Sequence, residues 1–358
     1  MYAGSMTSRS TRAVLALACG VLLSAHDIAR AGTPPADPPQ NIVLIGWDGV
    51  RRERLHELLA DGSLPNLSAL IAEGGLTDTQ ITTGSTQTKP GWTEILTGRS
   101  ADSLGIESND VYGPIPKGDT VFEALKRRFH GRIATIFIGG KDSNIGNRGP
   151  HEVCINCIHR MPPDYAQDGW WSQEKISSNV RTKCGLPMRW VRREGEPYFH
   201  TVQSLDLYKV NLGPADSVGP QALAALDRYR GSRFIAFFHF QDPDEQGHRH
   251  NDGSKEYADA IRLADRWLGL IRDRLKADGL SGRTAVFVTT DHGFDADERY
   301  HECAPDTFLA TNVSRPLRAG DRKDVTPTLL DAIGVDPAEV KPAMDGRSLF
   351  VPREASPR

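Results

Sequence analysis

The sequence predicts an α/β fold, a mainly parallel central sheet with helices on both faces and an inserted cap segment. Two observations carry this. Four short apolar runs rich in valine, isoleucine and phenylalanine, at 42–46, 132–138, 234–240 and 284–289, are bounded by polar or glycine residues and read as fully buried strands. Between them lie stretches of helical period at 67–73, 120–129, 221–228 and 256–276, the last placing Ile261, Ala264, Leu268, Ile271 and Leu275 on one face. Strand alternating with helix implies parallel strands joined by crossovers that cover the sheet.

In chain order, Arg9 and Arg12 precede the apolar run 13–25, and Ala29-Arg30-Ala31 is an A-x-A processing site, so residues 1–31 read as an export signal. That run is short of the ~20 residues that span a bilayer, and no transmembrane anchor is expected. Residues 32–40, rich in proline and small residues, read as a tether. The catalytic domain is expected over 41–358, with a cap-like insertion at 143–230, where Trp170-Trp171 suggest a small core of their own. Export leaves Cys154, Cys157, Cys184 and Cys303, an even set in an oxidising compartment, for which disulfides are the default and three pairings are open. The 358-residue chain, 39% hydrophobic and 25% charged, can bury a core; its 43 basic and 46 acidic residues exclude a protein that coats nucleic acid by bulk charge.

Each strand ends in polar residues: Asp48-Gly49, Gly140-Lys141-Asp142, Gln241-Asp242-Pro243-Asp244 and Thr290-Asp291-His292. In open α/β sheets ligands bind beyond the carboxyl ends of the strands, so these clusters are expected to line one crevice. Asp48, Asp244, His248, Asp291, His292 and His301 are carboxylates and imidazoles suited to a pair of divalent ions. Asp244 and His248 are four residues apart and can face one point, with Gly247 allowing a tight bend. In 86–98 (TQTKPGWTEILTG), Pro90 fits the first helical position and Gly98 the end, which puts Thr88 just before a helix N-terminus suited to phosphate. A threonine hydroxyl is a poor nucleophile alone and becomes a competent one beside a divalent ion.

With these motifs in order, joined by Leu104-Gly105-Ile106-Glu107-Ser108-Asn109, Asp324-Val325-Thr326-Pro327-Thr328 and Asp345-Gly346-Arg347-Ser348, the chain resembles the alkaline phosphatase superfamily, close to its type I phosphodiesterase and nucleotide pyrophosphatase branch. The resemblance implies one ion held by Asp48, Asp291 and His292 and another by Asp244, His248 and His301, with zinc expected and manganese the alternative. It implies Thr88 as a nucleophile passing through phosphothreonine, and Asn109 as a donor, with the Lys89 backbone N–H, to a phosphoryl oxygen. His301 departs from the usual His-Gly, being followed by Glu302. The sulfatase frame is absent, since Thr88-Lys89-Pro90-Gly91-Trp92 has neither the cysteine or serine nor the arginine. Gly140-Lys141-Asp142-Ser143 is similar to the Lys-Asp-Arg of monoesterase members, and Lys141 is expected to reach the substrate phosphate or carboxylate. The expected partner is thus a small phosphoester, a diester or nucleotide pyrophosphate, with monoesters or phosphonates as alternatives. A metal-scaffolded binding module without turnover is the non-enzymatic alternative.

Overall fold

The computed structural model describes residues 38–154, 179–183 and 186–352. The expected export signal, most of the tether, Trp170-Trp171, Cys157 and Cys184 lie outside the described residues, as does the side chain of Cys154. Cys303 is described, and among the described residues it is an exposed free thiol.

Among the described residues, eleven strands form two sheets. The main one contains β1 (Asn41–Trp47), β2 (Gly75–Gln80), β3 (Ala134–Gly139), β7 (Leu207–Lys209), β8 (Phe234–Phe240), β9 (Thr284–Thr289), β10 (Asp306–Thr311) and β11 (Gly320–Asp321), in the order β11-β2-β10-β9-β1-β8-β3-β7. The four strands read from sequence are its centre, adjacent and parallel: β1 pairs Trp47 with Phe240 of β8 and Gly46 with Thr289 of β9, and β3 pairs Gly139 with His239. β10 runs antiparallel to both β9 and β2.

Alternation along β1 explains the two-faced burial. Val43, Ile45 and Trp47 enter one core and Ile42 and Leu44 the other. On the first face pack α1 (Arg52–Ala60), α2 (Pro65–Glu73), α5 (Ala215–Tyr229) and α7 (Lys255–Ala277), through residues such as Leu55, Leu67, Val218 and Ile261. On the second pack α3 (Thr88–Thr97), α4 (Val121–Arg128) and α8 (Val325–Ala332), through Trp92, Phe122 and Leu329. Local sequence fixes the helix starts: Ser254 accepts the Tyr257 N–H at the head of α7, and Thr120 and Glu123 form a capping box on α4. The remaining helix, α6 (Asp242–His250), follows β8 directly.

The segment 143–230 divides in two. β4 (His151–Cys154), β5 (Asn179–Lys183) and β6 (Leu186–Arg193) make a separate three-stranded antiparallel sheet, whereas β7 pairs with β3 and α5 covers the main core. The end of β6 touches the loop of Asn109, where Arg193 donates to the Asp110 carbonyl.

Candidate active site

The carboxyl ends of β1, β8, β9 and β3 stand side by side, and the polar residues that follow them meet in one crevice. Asp48 follows β1, Asp291 and His292 lie beyond the end of β9, Asp244 sits in the first turn of α6 after β8, and Lys141 lies just beyond β3. Asp48, Asp291 and His292 are fully buried, and Asp244 is nearly so. Their ligand atoms gather in two groups, each within 4.8 Å: Asp48, Asp291 and His292, and Asp244, His292 and His301. The first group is the set the resemblance implies. In the second, His292 stands where His248 was expected; the His248 ring nitrogen lies 3.3 Å from Asp244 Oδ1, and its other nitrogen meets the Arg299 carbonyl at 2.7 Å. His301 reaches the site from the loop 290–305 by stacking on His292, ring centres 4.1 Å apart.

Asp244 and His248 share a face because α6 is a regular helix, so the four-residue spacing is one helical turn and no bend at Gly247 is involved. Gly247 answers a packing demand instead, since a Cβ there would lie 2.5 Å from the Phe294 ring. Thr88 is the first residue of α3, with Gln87 as N-cap, two positions further into the helix than Pro90 at the first helical position would put it. A Cβ on Gly91 would lie 2.6 Å from Asp291 Cβ, and its absence lets the start of α3 press against the ligand loop.

Thr88 Oγ1 sits 3.5 Å from His292 Nε2 and accepts a hydrogen bond from Lys141 Nζ at 3.0 Å. The same ammonium bridges Asp48 Oδ1 and Asp244 Oδ2, each at 2.7 Å. Lys141 therefore lies between the two groups, its charge set against their carboxylates. Asn109 Oδ1 accepts the Lys89 backbone N–H at 3.0 Å, a first-turn donor that has no partner within the helix, so the Asn109 side chain is tied to the start of α3.

The electrostatics are those of a cation site. Burial opposes charge on Asp48, yet Lys141 and the hydrogen-bonded His239 together outweigh it and bring the carboxyl to about 2. Asp244 is likewise lowered against burial, chiefly by Lys141 and His248, while burial and the neighbouring Asp48 charge push Asp291 well up. Burial, then the neighbouring His292, brings His301 down to about 3, and burial lowers His292, so both rings stay neutral as ligation requires. Asp291 Oδ2 and His301 Nδ1 are buried without hydrogen-bond partners, and so is Asp244 Oδ1 although His248 stands near it. Oxygen and imidazole donors left unpaired in a buried site fit a pair of divalent ions of borderline character.

Some supporting residues went unread in the sequence. His239 contacts Asp48 Oδ2 at 2.6 Å through Nε2, and Trp92 donates to the same oxygen at 3.1 Å, so Oδ1 alone faces the crevice. Gly49 N–H donates to Asp291 Oδ1 at 3.1 Å. Arg322, fully buried, pairs with Glu94 of α3 at 2.8 Å and donates to the Asp291 carbonyl at 2.7 Å. The signal for His239 was one polar ring in an otherwise apolar strand, one register step from a strand end; for Arg322 no local signal exists.

Fold and site together define an alkaline-phosphatase-like chain with a two-group metal-ligand site. Residues 42–341 match the type I phosphodiesterase / nucleotide pyrophosphatase family, and the chain belongs to it. Among curated proteins it is similar to the Bis(5'-adenosyl)-triphosphatase enpp4 of Xenopus laevis, 23% identical over 300 residues that cover 84% of this chain and 54% of the relative. It is also similar to ectonucleotide pyrophosphatase/phosphodiesterase family member 1 of Rattus norvegicus, 25% identical over 283 residues, 78% of this chain and 26% of the relative. The chain thus spans about half the length of the first of these and a quarter of the second. Of solved structures, the alkaline phosphatase of the Antarctic bacterium TAB5 superposes with TM-score 0.51 at 13% identity, covering 84% of this chain and 99% of that one. The lipoteichoic acid synthase LtaP of Listeria monocytogenes gives TM-score 0.54 at 13% identity, covering 88% and 76%.

Proposed function

We propose that the chain is an exported two-metal phosphoester hydrolase that cleaves phosphodiester or nucleotide pyrophosphate bonds through a phosphothreonine intermediate. The observation that carries this is the position of Thr88: its hydroxyl lies at the start of α3, within 3.5 Å of His292, the residue common to both ligand groups. Asp48, Asp291 and His292 would hold one ion, and Asp244 and His301, with His248 beside them, the other; zinc fits the donors best, with manganese second. Such a pair supplies Lewis-acid stabilisation of the oxygens that gain charge during in-line displacement.

The chain's own residues do the rest. Thr88 Oγ attacks phosphorus, the bond to the leaving oxygen breaks, and water later hydrolyses the phosphothreonine to regenerate the hydroxyl. Lys141 donates to Thr88 Oγ1, a bond that favours the deprotonated nucleophile and places the ammonium where a phosphoryl group joined to that oxygen would meet it. Asn109, held by the Lys89 N–H, presents its amide nitrogen to a phosphoryl oxygen. The names of the relatives, a dinucleoside triphosphatase and a nucleotide pyrophosphatase, support a nucleotide diester as the substrate class. Export rests on the N-terminal run 13–25 and its processing site. Turnover of bis-p-nitrophenyl phosphate by zinc-loaded protein, compared with mono-p-nitrophenyl phosphate, tests the reading, and the absence of both activities would overturn it.

A further inference from the structure

Lys89 follows the nucleophile directly, and its side chain is only 4% exposed. Its ammonium donates to the Asn109 carbonyl at 2.9 Å and to Asn144 Oδ1 at 3.1 Å, and it lies 4.3 Å from the centre of the Tyr112 ring. All three partners are neutral. Among the described residues no carboxylate forms an ion pair with it; Asp110 and Glu196 act from a distance, against the cations of Lys141 and Arg193. Arg193 lies 5.0 Å from the same Tyr112 ring, so the ring is shared by two cations.

A buried ammonium without an anion is costly, and lysines are almost never fully buried unless paired. Burial accordingly lowers the Lys89 ammonium to about 8. Neutral hydrogen bonds satisfy its donors without balancing its charge. Among the described residues no paired carboxylate supplies the counter-charge, and the side chain is anchored on Asn109, the residue that the proposed function sets against a phosphoryl oxygen.

Resting on the function proposed above, we infer that Lys89 is a specificity-determining residue that answers a second negative charge on the substrate, beyond the single charge of a simple phosphodiester. That charge has two sources with the same chemistry: the further anionic oxygen of a phosphate monoester, or the neighbouring phosphate of a nucleoside diphosphate. Lys141 meets the reacting oxygen from the β3 side, whereas Lys89 stands on the Asn109 side and meets the oxygens beyond it.

The test compares metal-loaded wild type with Lys89→Met, which removes charge and donors, and Lys89→Gln, which keeps a donor for Asn109 and removes only the charge. Three substrates are used: bis-p-nitrophenyl phosphate, mono-p-nitrophenyl phosphate and ADP, the last followed by released phosphate, with circular dichroism confirming the fold. Both variants are expected to lose at least tenfold more kcat/KM on the monoester or on ADP than on the diester, mainly through KM. Selective loss on the monoester alone assigns the charge to the transferred group, and selective loss on ADP alone assigns it to the neighbouring phosphate. An equal loss on all three substrates, or recovery of Lys89→Met losses in Lys89→Gln, would overturn the inference in favour of a hydrogen-bonding role. If wild type turns over none of the three in a Thr88-dependent way, the underlying hydrolase reading fails instead.

Discussion

The ligand carboxylate Asp48 shows how much a single residue depends on its neighbours. His239 and Trp92 both hold Oδ2, which orients the carboxylate and commits Oδ1 to the crevice. His239→Ala should leave the strand in place and lower zinc affinity by about 10–100-fold, as losses of such supporting contacts generally do. Titration calorimetry with zinc checks this, and an unchanged affinity would show that Asp48 needs no such support. At this scale the acidic and imidazole residues were legible because their type and their position after apolar strands are local properties. What was not legible is which atom faces which: His292 faces both ligand groups, His248 lies against Asp244 with its other nitrogen on the Arg299 carbonyl, and the Lys141 ammonium lies among the carboxylates. Those facts depend on side-chain directions set by packing across the sheet.

The elements most easily read were the four central strands and α7, whose burial on both faces or along one stripe leaves a plain hydrophobic pattern. β2 was missed because only Thr77 and Thr79 of its six residues are buried, and β10 because Asp306–Thr311 has neither strict alternation nor a β-branched majority. Helix α3 is buried over its whole length, so its placement cannot come from amphipathic pattern. It is tied to the ligand loop by the Arg322–Glu94 pair, with Arg322 bonded to the Asp291 carbonyl and Glu94 also accepting from Thr83 and the Ala101 N–H. A buried pair of this kind contributes little over an apolar replacement, but breaking it strands a charge. Arg322→Met should cost about 3–5 kcal/mol in chemical denaturation, and the double variant with Glu94→Met should recover much of that. Additive losses in the two single variants would show that the pair does not act as a unit.

Taken whole, the molecule places three buried carboxylates within one crevice against one lysine, an arrangement whose repulsion divalent ions relieve. Binding to the folded state alone should stabilise it: zinc at a hundred times its dissociation constant adds about 2.7 kcal/mol per site, several degrees in melting temperature for a domain of this size. Thermal unfolding with and without a chelator measures this, and identical midpoints would mean that the site binds no ion in the folded state. Among the described residues no helix is long and apolar enough to cross a membrane. The proposed chemistry rests on one hydroxyl at the start of α3. The most direct test is hydrolysis of bis-p-nitrophenyl phosphate by zinc-loaded wild type and Thr88→Ala side by side, with zinc content measured in both. Wild type should turn the diester over, and the variant should lose about a thousandfold or more at equal zinc content. Equal turnover by the two proteins would contradict the proposed chemistry and remove Thr88 from the reaction.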